Sequence, residues 1–392
     1  MVVAHLTALP RKVVSAMPSS PIMTPDVLRH VGLLELFCLA ADPRDPRGVR
    51  HPLGVLLAGA LAAVLAGARS FAAIGKWARC ADPEVAEALG MAARPEASTF
   101  RRVLCALDAA AFDLLVGAWM WLRCANAGGR TVISFDGKTV RGAKTRGGTA
   151  PHLLSAMVHG VDAVVAQAVV GEKSNEIPKL RDLLGRLAIA ECVIVADAMH
   201  TQRETARAIV EAGADYLFTV KKNQPGTLAS IARLPWKHIP SRTWVDTSKG
   251  RRVRRTIKVV AAAGWTDFPH ASQIAQLRRT RTVKGKTTTE VVYLICSAPA
   301  AQASPEQLAT WVKSHWCIEN RFHWVRDVSY DEDRQTARSG HGPQNMACLR
   351  NLAISILHLA GLNKIAGSLR ENAYRPKHLL ELLLTSGKET LL

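Results

Sequence analysis

The chain is expected to be an α/β protein, with a mixed-sheet core entered through an all-helical segment and interrupted by a β-rich insertion. Three observations lead there. Residues 31–125 repeat their apolar side chains at helical spacing. Between 130 and 225, short strand-like apolar runs give way to alternating helical and strand-like ones. Between 226 and 300, Val, Thr and Ile recur at every second position with Lys and Arg between them.

Residues 1–30 carry Pro10, Pro18, Pro21 and Pro25 with little periodicity, and read as a tail or short lead-in helix. The helical segment, 31–125, then runs through VGLLELFCLA, the turn DPRDPRG, the apolar stretch 52–68, SFAAIGKWARC and STFRRVLCALDAAAFDLLVGAWMWLRCA. The stretch 52–68 stops short of the roughly 20 residues a membrane span needs and leads into Arg69, so a buried core helix is expected. Ser98 is a candidate N-cap. Arg101 and Arg102 would project from the first turn, as solvated charges or as DNA contacts of a helix-turn-helix-like unit.

In the core's first part, 130–225, TVISFDGKTV, HLLSAMVHG and DAVVAQAVVG read as an antiparallel meander. The helix IPKLRDLLGRLA, the buried strand CVIVAD, the helix TQRETARAIVEAG and the strand DYLFTVK follow. The order β-β-β-α-β-α-β is that of the ribonuclease-H-like fold, in which carboxylates end the first and fourth strands and another lies on a later helix. The insertion, 226–300, contains RRVRRTIKVVAAA and RRTRTVKGKTTTEVVYLICSA, consistent with a one-sided sheet whose outer face is positive. The core resumes over 301–367 with a helix bearing Glu319 and the apolar helix NMACLRNLAISILHLAGL; 368–392 read as a peripheral extension.

Charge sets the class of partner. With 51 Lys+Arg against 32 Asp+Glu, the formal net charge is +19, which favours a polyanion: nucleic acid first, an acidic membrane surface second. At 392 residues and 48% hydrophobic content, the chain can build a large core in roughly two to three domains. None of the eight cysteines lies at CxxC spacing, which excludes a zinc knuckle and leaves buried, reduced thiols as the expectation. The N-terminus lacks the pattern of a secretory signal, so a cytoplasmic protein, nucleoid-associated when on DNA, is expected.

Asp136 and Asp197 each close an apolar run, and Glu319 lies in a helical pattern. Taken singly, Asp136 could close a turn before Gly137, Asp197 could cap the next helix and Glu319 could be solvated. Together, carboxylates at the tips of buried strands call for a cation. Hard oxygen donors without a Cys or His cluster favour Mg²⁺ or Mn²⁺, and two such ions suit in-line attack at phosphorus. His315, Glu319, His323 and Arg326 have the spacing of one helix face and could address a phosphate backbone. A transition-metal triad of His315, Glu319 and His323 would span too many turns to converge on one ion. Lys138, Arg141, Lys144 and Arg146 after the first carboxylate, and Lys221, Lys222, Asn223 and Gln224 after the last core strand, read as DNA contacts or as polar turns. Trp316 and Trp324 read as core residues before base-stacking platforms for a flipped base, and Asp327, Asp331, Glu332 and Asp333 as a solvated or Arg-paired loop before a metal-binding cluster.

FDGKTVRGAKT, KSNEIPKLRDLL, VADAMHTQ with DYLFTVKKNQP, and HWCIENRFHWVRDVSYDEDRQTAR resemble the signature blocks of DDE transposases, in the insertion-sequence branch of H-repeat-associated proteins. DPRDPRGVRHPLGVLLAGALAAVLAGARSFAAIGKWA is similar to the helical domain of the same branch, so the resemblance spans about residues 33–365. It places the family's two Asp on Asp136 and Asp197 and its Glu on Glu319. The family's Tyr, Arg and Lys around that Glu fall on Val312, His315 and Arg326, a departure that bears on strand handling. The resemblance implies a transposase that binds the terminal inverted repeats of its element in double-stranded DNA, cleaves at the ends and joins them to target DNA, as a homodimer or higher assembly. Its rivals are a nuclease of the same fold without strand transfer and a silent, domesticated DNA-binding relic; the presence of all three carboxylates argues against the relic.

Overall fold

The computed structural model describes residues 25–124, 130–144, 148–171, 175–248 and 250–385. Most of the expected tail, the end of the C-terminal extension, and Arg146 lie outside them. In chain order the helices α1 (Pro25–His30), α2 (Leu33–Cys38), α3 (Leu53–Leu65), α4 (Phe71–Cys80), α5 (Pro83–Ala88), α6 (Ala97–Ala106) and α7 (Ala109–Cys124) come first. Next are β1 (Val132–Thr139), β2 (His152–Val158), β3 (Ala163–Val170), α8 (Glu176–Leu184), β4 (Val193–Ala196), α9 (Arg203–Glu211) and β5 (Asp215–Val220), the expected β-β-β-α-β-α-β order. Then come α10 (Pro225–Ala232), β6 (Ser241–Ser248), β7 (Arg251–Ala261), β8 (Gln273–Val283), β9 (Lys286–Cys296), α11 (Pro305–Ile318), a π turn at Glu319–His323, and α12 (Trp324–Val328). The helices α13 (Gly342–Leu359), α14 (Ile365–Tyr374) and α15 (Pro376–Thr385) end the described chain.

These elements form two compact units that do not follow chain order. The first takes the described residues up to 124, Gly137–Ala188 and those from Ile318 onward; the second takes 130–136 and Ile189–Cys317. The chain leaves the second unit and enters the first within β1.

In the first unit, local chemistry starts several helices. Ser70 accepts a hydrogen bond from the Ala73 N–H at the head of α4, Asp82 one from Glu84 ahead of Pro83, and Asn175 one from Ile177 at the head of α8. Helix α6 begins at Ala97 behind Glu96, so Ser98 sits inside the first turn and not at the expected cap. Every residue of α3 except Val55 is buried, the core helix expected of stretch 52–68. Among the described residues no single helix is long and apolar enough to cross a membrane.

The helical segment does not close a core on its own. Helix α7 lies so near β3 that a Cβ on Gly117 would stand 2.3 Å from the Val165 carbonyl oxygen, an approach only glycine permits. A buried polar network joins the same elements to α13. Asp113 accepts from Gln167 Nε2 at 3.1 Å and from Gln344 Nε2 at 2.6 Å, while Gln167 accepts from Asn351 at 2.9 Å. Burial pushes the Asp113 carboxyl up to about 6, against the hydrogen bonds from Gln344, Cys348 and Gln167.

A second network holds α12 to α13. Glu332 accepts from Arg326 Nε at 3.0 Å and from Arg350 Nη1 at 2.8 Å, and Arg350 also reaches Gln335 at 2.7 Å and the Arg69 carbonyl at 3.1 Å. All three members of this Arg-Glu-Arg triad are fully buried. Glu332, Asp333 and Asp331 thus lie beside arginines, as the Arg-paired reading of the acidic loop has it, while Asp327 pairs with Lys138.

The second unit is built on a mixed sheet in the order β1-β4-β5-β9-β8-β7-β6. β1, β4 and β5 run parallel; β9, β8, β7 and β6 follow antiparallel. The β-rich insertion therefore extends the core sheet, because β9 pairs with β5 from Leu217↔Cys296 to Val220↔Tyr293. One apolar core runs beneath both parts, taking in Val193, Val195, Leu217, Ile257, Leu277 and Leu294 and, from α11, Leu308 and Trp311.

Candidate carboxylate site

β1 and β4 pair in parallel as far as Phe135 opposite Ala196, so the next residues, Asp136 still within β1 and Asp197 just past the end of β4, lie side by side where that pairing stops. The sequence expectation that Asp136 ends its strand is corrected, because β1 runs on to Thr139. Neighbouring strands are about 4.8 Å apart, close enough for two carboxylates to share a cation. The strands that carry them are apolar and buried: Ile133, Phe135 and Ile194 have no exposed surface. Asp136 is half-buried, and the Asp197 side chain is 52% exposed.

Asp197 Oδ1 accepts the Ala198 N–H at 2.6 Å and so caps the 3-10 turn Ala198–His200. The capping reading of Asp197 is correct as local structure, and a carboxylate that accepts one N–H through Oδ1 retains acceptor capacity for a further partner. The segment after β5 is laced to this turn: Asn223 Nδ2 donates to the Ala198 carbonyl at 2.6 Å, and Gln224 Nε2 to that of Thr201 at 2.9 Å. Lys221 Nζ is thereby brought to 3.5 Å from Asp197 Oδ1. Lys221 and Lys222 are exposed and available to a phosphate; Asn223 has its amide engaged in fixing the turn.

The remaining candidates scatter. In the second unit, His315 is half-buried on α11, and the neighbouring Trp316 stacks under the Arg279 guanidinium at 4.1 Å from the ring centre. In the first unit, Glu319 is exposed and opens the π turn, and His323 closes it half-buried. A π turn winds more slowly than an α-helix, so the spacing that suggested one face for Glu319, His323 and Arg326 fails through it. Arg326, expected on a phosphate, is 0% exposed and held by Glu332 inside the core, which removes it from the contact set. Lys138 is 8% exposed, with its ammonium between both Asp327 oxygens at 2.6 and 2.7 Å. Arg141 and Lys144 are exposed, Arg141 lying 3.7 Å from Asp333. Trp324, read as a core residue before a base-stacking platform, is 58% exposed, which corrects the core reading.

One cluster next to the first carboxylate escaped the sequence reading. His152 bonds Glu176 Oε1 through Nε2 at 2.7 Å and Thr139 Oγ1 through Nδ1 at 2.8 Å. The pair lies over Gly137: a Cβ there would be 2.3 Å from Glu176 Oε1 and 2.5 Å from His152 Nε2. A glycine inside a strand signals such an approach, but the identity of what approaches depends on pairing that no local pattern shows. Gly137→Ala is expected to push His152 and Glu176 apart and to lower stability by about 1–3 kcal/mol. Chemical denaturation checks this, with Gly137→Ala/Glu176→Ala recovering part of the loss; a Gly137→Ala protein as stable as wild type would refute the contact.

The donor chemistry suits a hard divalent cation, since Asp136 and Asp197 offer carboxylate oxygens and Lys221 is already drawn to Asp197. Among the described residues no group of three or more His, Cys, Asp or Glu side chains is placed to hold a metal ion. A pair of carboxylates on neighbouring parallel strands is the kind of arrangement that serves metal-assisted phosphoryl transfer.

Comparison with known proteins gives the family. Residues 127–356 match the family model described as "Transposase DDE domain", and residues 34–120 match the one described as "DDE_Tnp_1-associated". The chain belongs to the DDE transposase family. It is 30% identical over 380 residues to the protein YbfL of Escherichia coli K12, covering 91% of this chain and 98% of that one. It is equally similar, over the same shares, to the "H repeat-associated putative transposase YhhI" of the same strain. A piggyBac transposase, solved by cryo-EM as a synaptic complex with hairpin DNA, matches 93% of this chain and 81% of its own at a TM-score of 0.44 and 10% identity, too distant to assign a residue.

Proposed function

We propose that the protein is the DNA transposase of an insertion sequence, with a ribonuclease-H-like core, which binds the terminal inverted repeats of its element, cleaves there and joins the ends to target DNA. The side-by-side placement of Asp136 and Asp197 where the parallel pairing of β1 and β4 stops carries the reading. Asp136 and Asp197 would hold two Mg²⁺ or Mn²⁺ ions, with Glu319 completing the second site. Bound there, the ions supply Lewis-acid activation of the attacking oxygen and charge stabilisation of the departing one.

The chain's own groups orient the reaction. Ala198 N–H fixes the rotamer of Asp197, and the Asn223 and Gln224 bonds keep the β4 and β5 ends in register. The Lys221 ammonium, free to swing on its exposed stem, takes a phosphate oxygen near the cut; Lys222, Arg141 and Lys144 contact the flanking backbone. Lys138 joins them only by exchanging Asp327 for phosphate. His315 and His323 are second-rank contacts because both are half-buried. Two ends must be held at once, so the working form is a homodimer or larger assembly on DNA.

The test is incubation of the purified protein with a duplex carrying its element's ends and a target plasmid, with Mg²⁺ and with EDTA. Joined products that require Mg²⁺ are expected. Cleavage without joining would convert the reading to nuclease, and binding with neither reaction, to a silent relic.

A further inference from the structure

The two faces of the outer sheet β6–β9 differ in charge in a way the sequence alternation does not reveal. Cross-strand partners share a face, so the register sorts each residue. On one face the acids are present and matched: Glu290 lies 2.6 Å from Arg279, and Asp246 lies 3.9 Å from Arg255. This face carries the apolar core at its inner end, through Ile257 and Leu277.

The other face has no Asp or Glu in any of its three outer rungs, Thr243↔Thr256↔Arg278↔Val291, Val245↔Arg254↔Thr280↔Thr289 and Thr247↔Arg252↔Thr282↔Thr287. Its cations, Arg252, Arg254 and Arg278, are all exposed. Seven of its twelve positions are threonine. Thr243 bonds Thr256 at 2.9 Å, Thr280 bonds Thr289 at 3.3 Å, and Thr282 bonds Thr287 at 3.0 Å. Each such pair uses one hydroxyl hydrogen internally and leaves the other to donate outward.

We propose that this acid-free Arg/Thr face is a seat for the phosphate backbone of duplex DNA, separate from the carboxylate pair. The occupant is argued from charge and spacing. Successive rungs are about 6.8 Å apart along a strand, so the three arginines form a row of about 14 Å, the axial rise of roughly four phosphates on one DNA strand. Guanidinium groups and outward hydroxyls are the side chains that bind phosphate without reading sequence. The row ends at a concavity bounded by Arg251, Arg252 and Lys284, which prolongs the positive surface past the strand ends. An anionic membrane is the lesser fit, because Val245 and Val291 are the only exposed large apolar side chains on the face, with no aromatic to anchor it. The proposal rests on the transposase reading only in choosing DNA as the polyanion.

The experiment is a salt titration of full-length protein on a labelled duplex of unrelated sequence, read by fluorescence anisotropy. It compares wild type, Arg252→Ala/Arg254→Ala/Arg278→Ala, and the charge-matched control Arg242→Ala/Arg281→Ala/Lys286→Ala, whose residues are exposed on the opposite face. The first triple variant is expected to lower the slope of log K against log salt by about 2.7, roughly 0.9 for each phosphate no longer neutralised, and the control by less than 1. Equal effects of the two variants, or none from the first, would overturn the proposal. So would loss of binding to anionic vesicles with duplex binding intact. If the triple variant fails to fold, modification of wild-type arginines by phenylglyoxal decides: duplex should shield Arg252, Arg254 and Arg278 and leave Arg281 reactive, and the reverse pattern refutes the assignment. Wild type that binds no duplex at all would overturn the proposal outright, while the transposase reading is tested separately by the cleavage assay.

Discussion

The Asp197→Asn protein is expected to bind DNA ends as the wild type does and to lose both cleavage and joining by on the order of 10³-fold, about 4 kcal/mol of transition-state stabilisation. Binding survives because the substitution keeps the local structure. Asn can accept the Ala198 N–H through its own Oδ1, so the 3-10 turn and the Asn223 lacing remain, and the side chain is 52% exposed, where a change of charge costs the fold little. Chemistry fails because an amide is a poor ligand for a hard cation and no longer balances Lys221. The measurement is single-turnover cleavage and joining with Mg²⁺ at matched low salt, beside end binding by anisotropy. Cleavage within a few-fold of wild type would remove Asp197 from the site, and with it the argument that its position opposite Asp136 matters.

What the sequence made legible, and what it did not, follows from the range of the interactions involved. Asp136 and Asp197 stand out in the sequence because each closes a buried apolar run and such a run is written in its own residues, although β1 itself continues to Thr139. Their alignment does not, since register between β1 and β4 is settled by pairing across the sheet. The alternation in 226–300 announced strands, but pairing of β9 with β5, which makes the insertion part of the core sheet, again lies outside any local pattern. The helix reading around Glu319 assumed α-helical periodicity, and a single π turn defeated it. Arg326 looked like a phosphate ligand because exposed and buried arginines have the same letter; only Glu332, six residues on, and Arg350 in another helix decide that it is internal.

That internal triad yields the largest stability prediction. Glu332→Gln should destabilise the first unit by about 3–5 kcal/mol, a large share of a typical domain's 5–15 kcal/mol. The amide keeps the shape of the side chain and removes its charge, which leaves the Arg326 and Arg350 guanidiniums at 0% exposure with no counterion. Desolvation by burial opposes the charge on Glu332, yet the two guanidiniums outweigh it and hold the carboxyl at about 2, below its ordinary 4.5. Because the folded value is the lower one, the stabilisation is complete above pH 4.5 and is lost as pH falls through about 2. The difference in unfolding free energy between wild type and Glu332→Gln, from denaturant titrations, should therefore be flat from neutral pH to about 5 and shrink below it. Replacing the whole triad by apolar residues, Arg326→Met/Glu332→Leu/Arg350→Met, should cost less than Glu332→Gln alone, since no charge is then stranded. If the triple variant is the less stable of the two, packing and not charge pairing holds α12 against α13. The triad would then have no electrostatic part in holding the helix that follows Glu319 and its π turn.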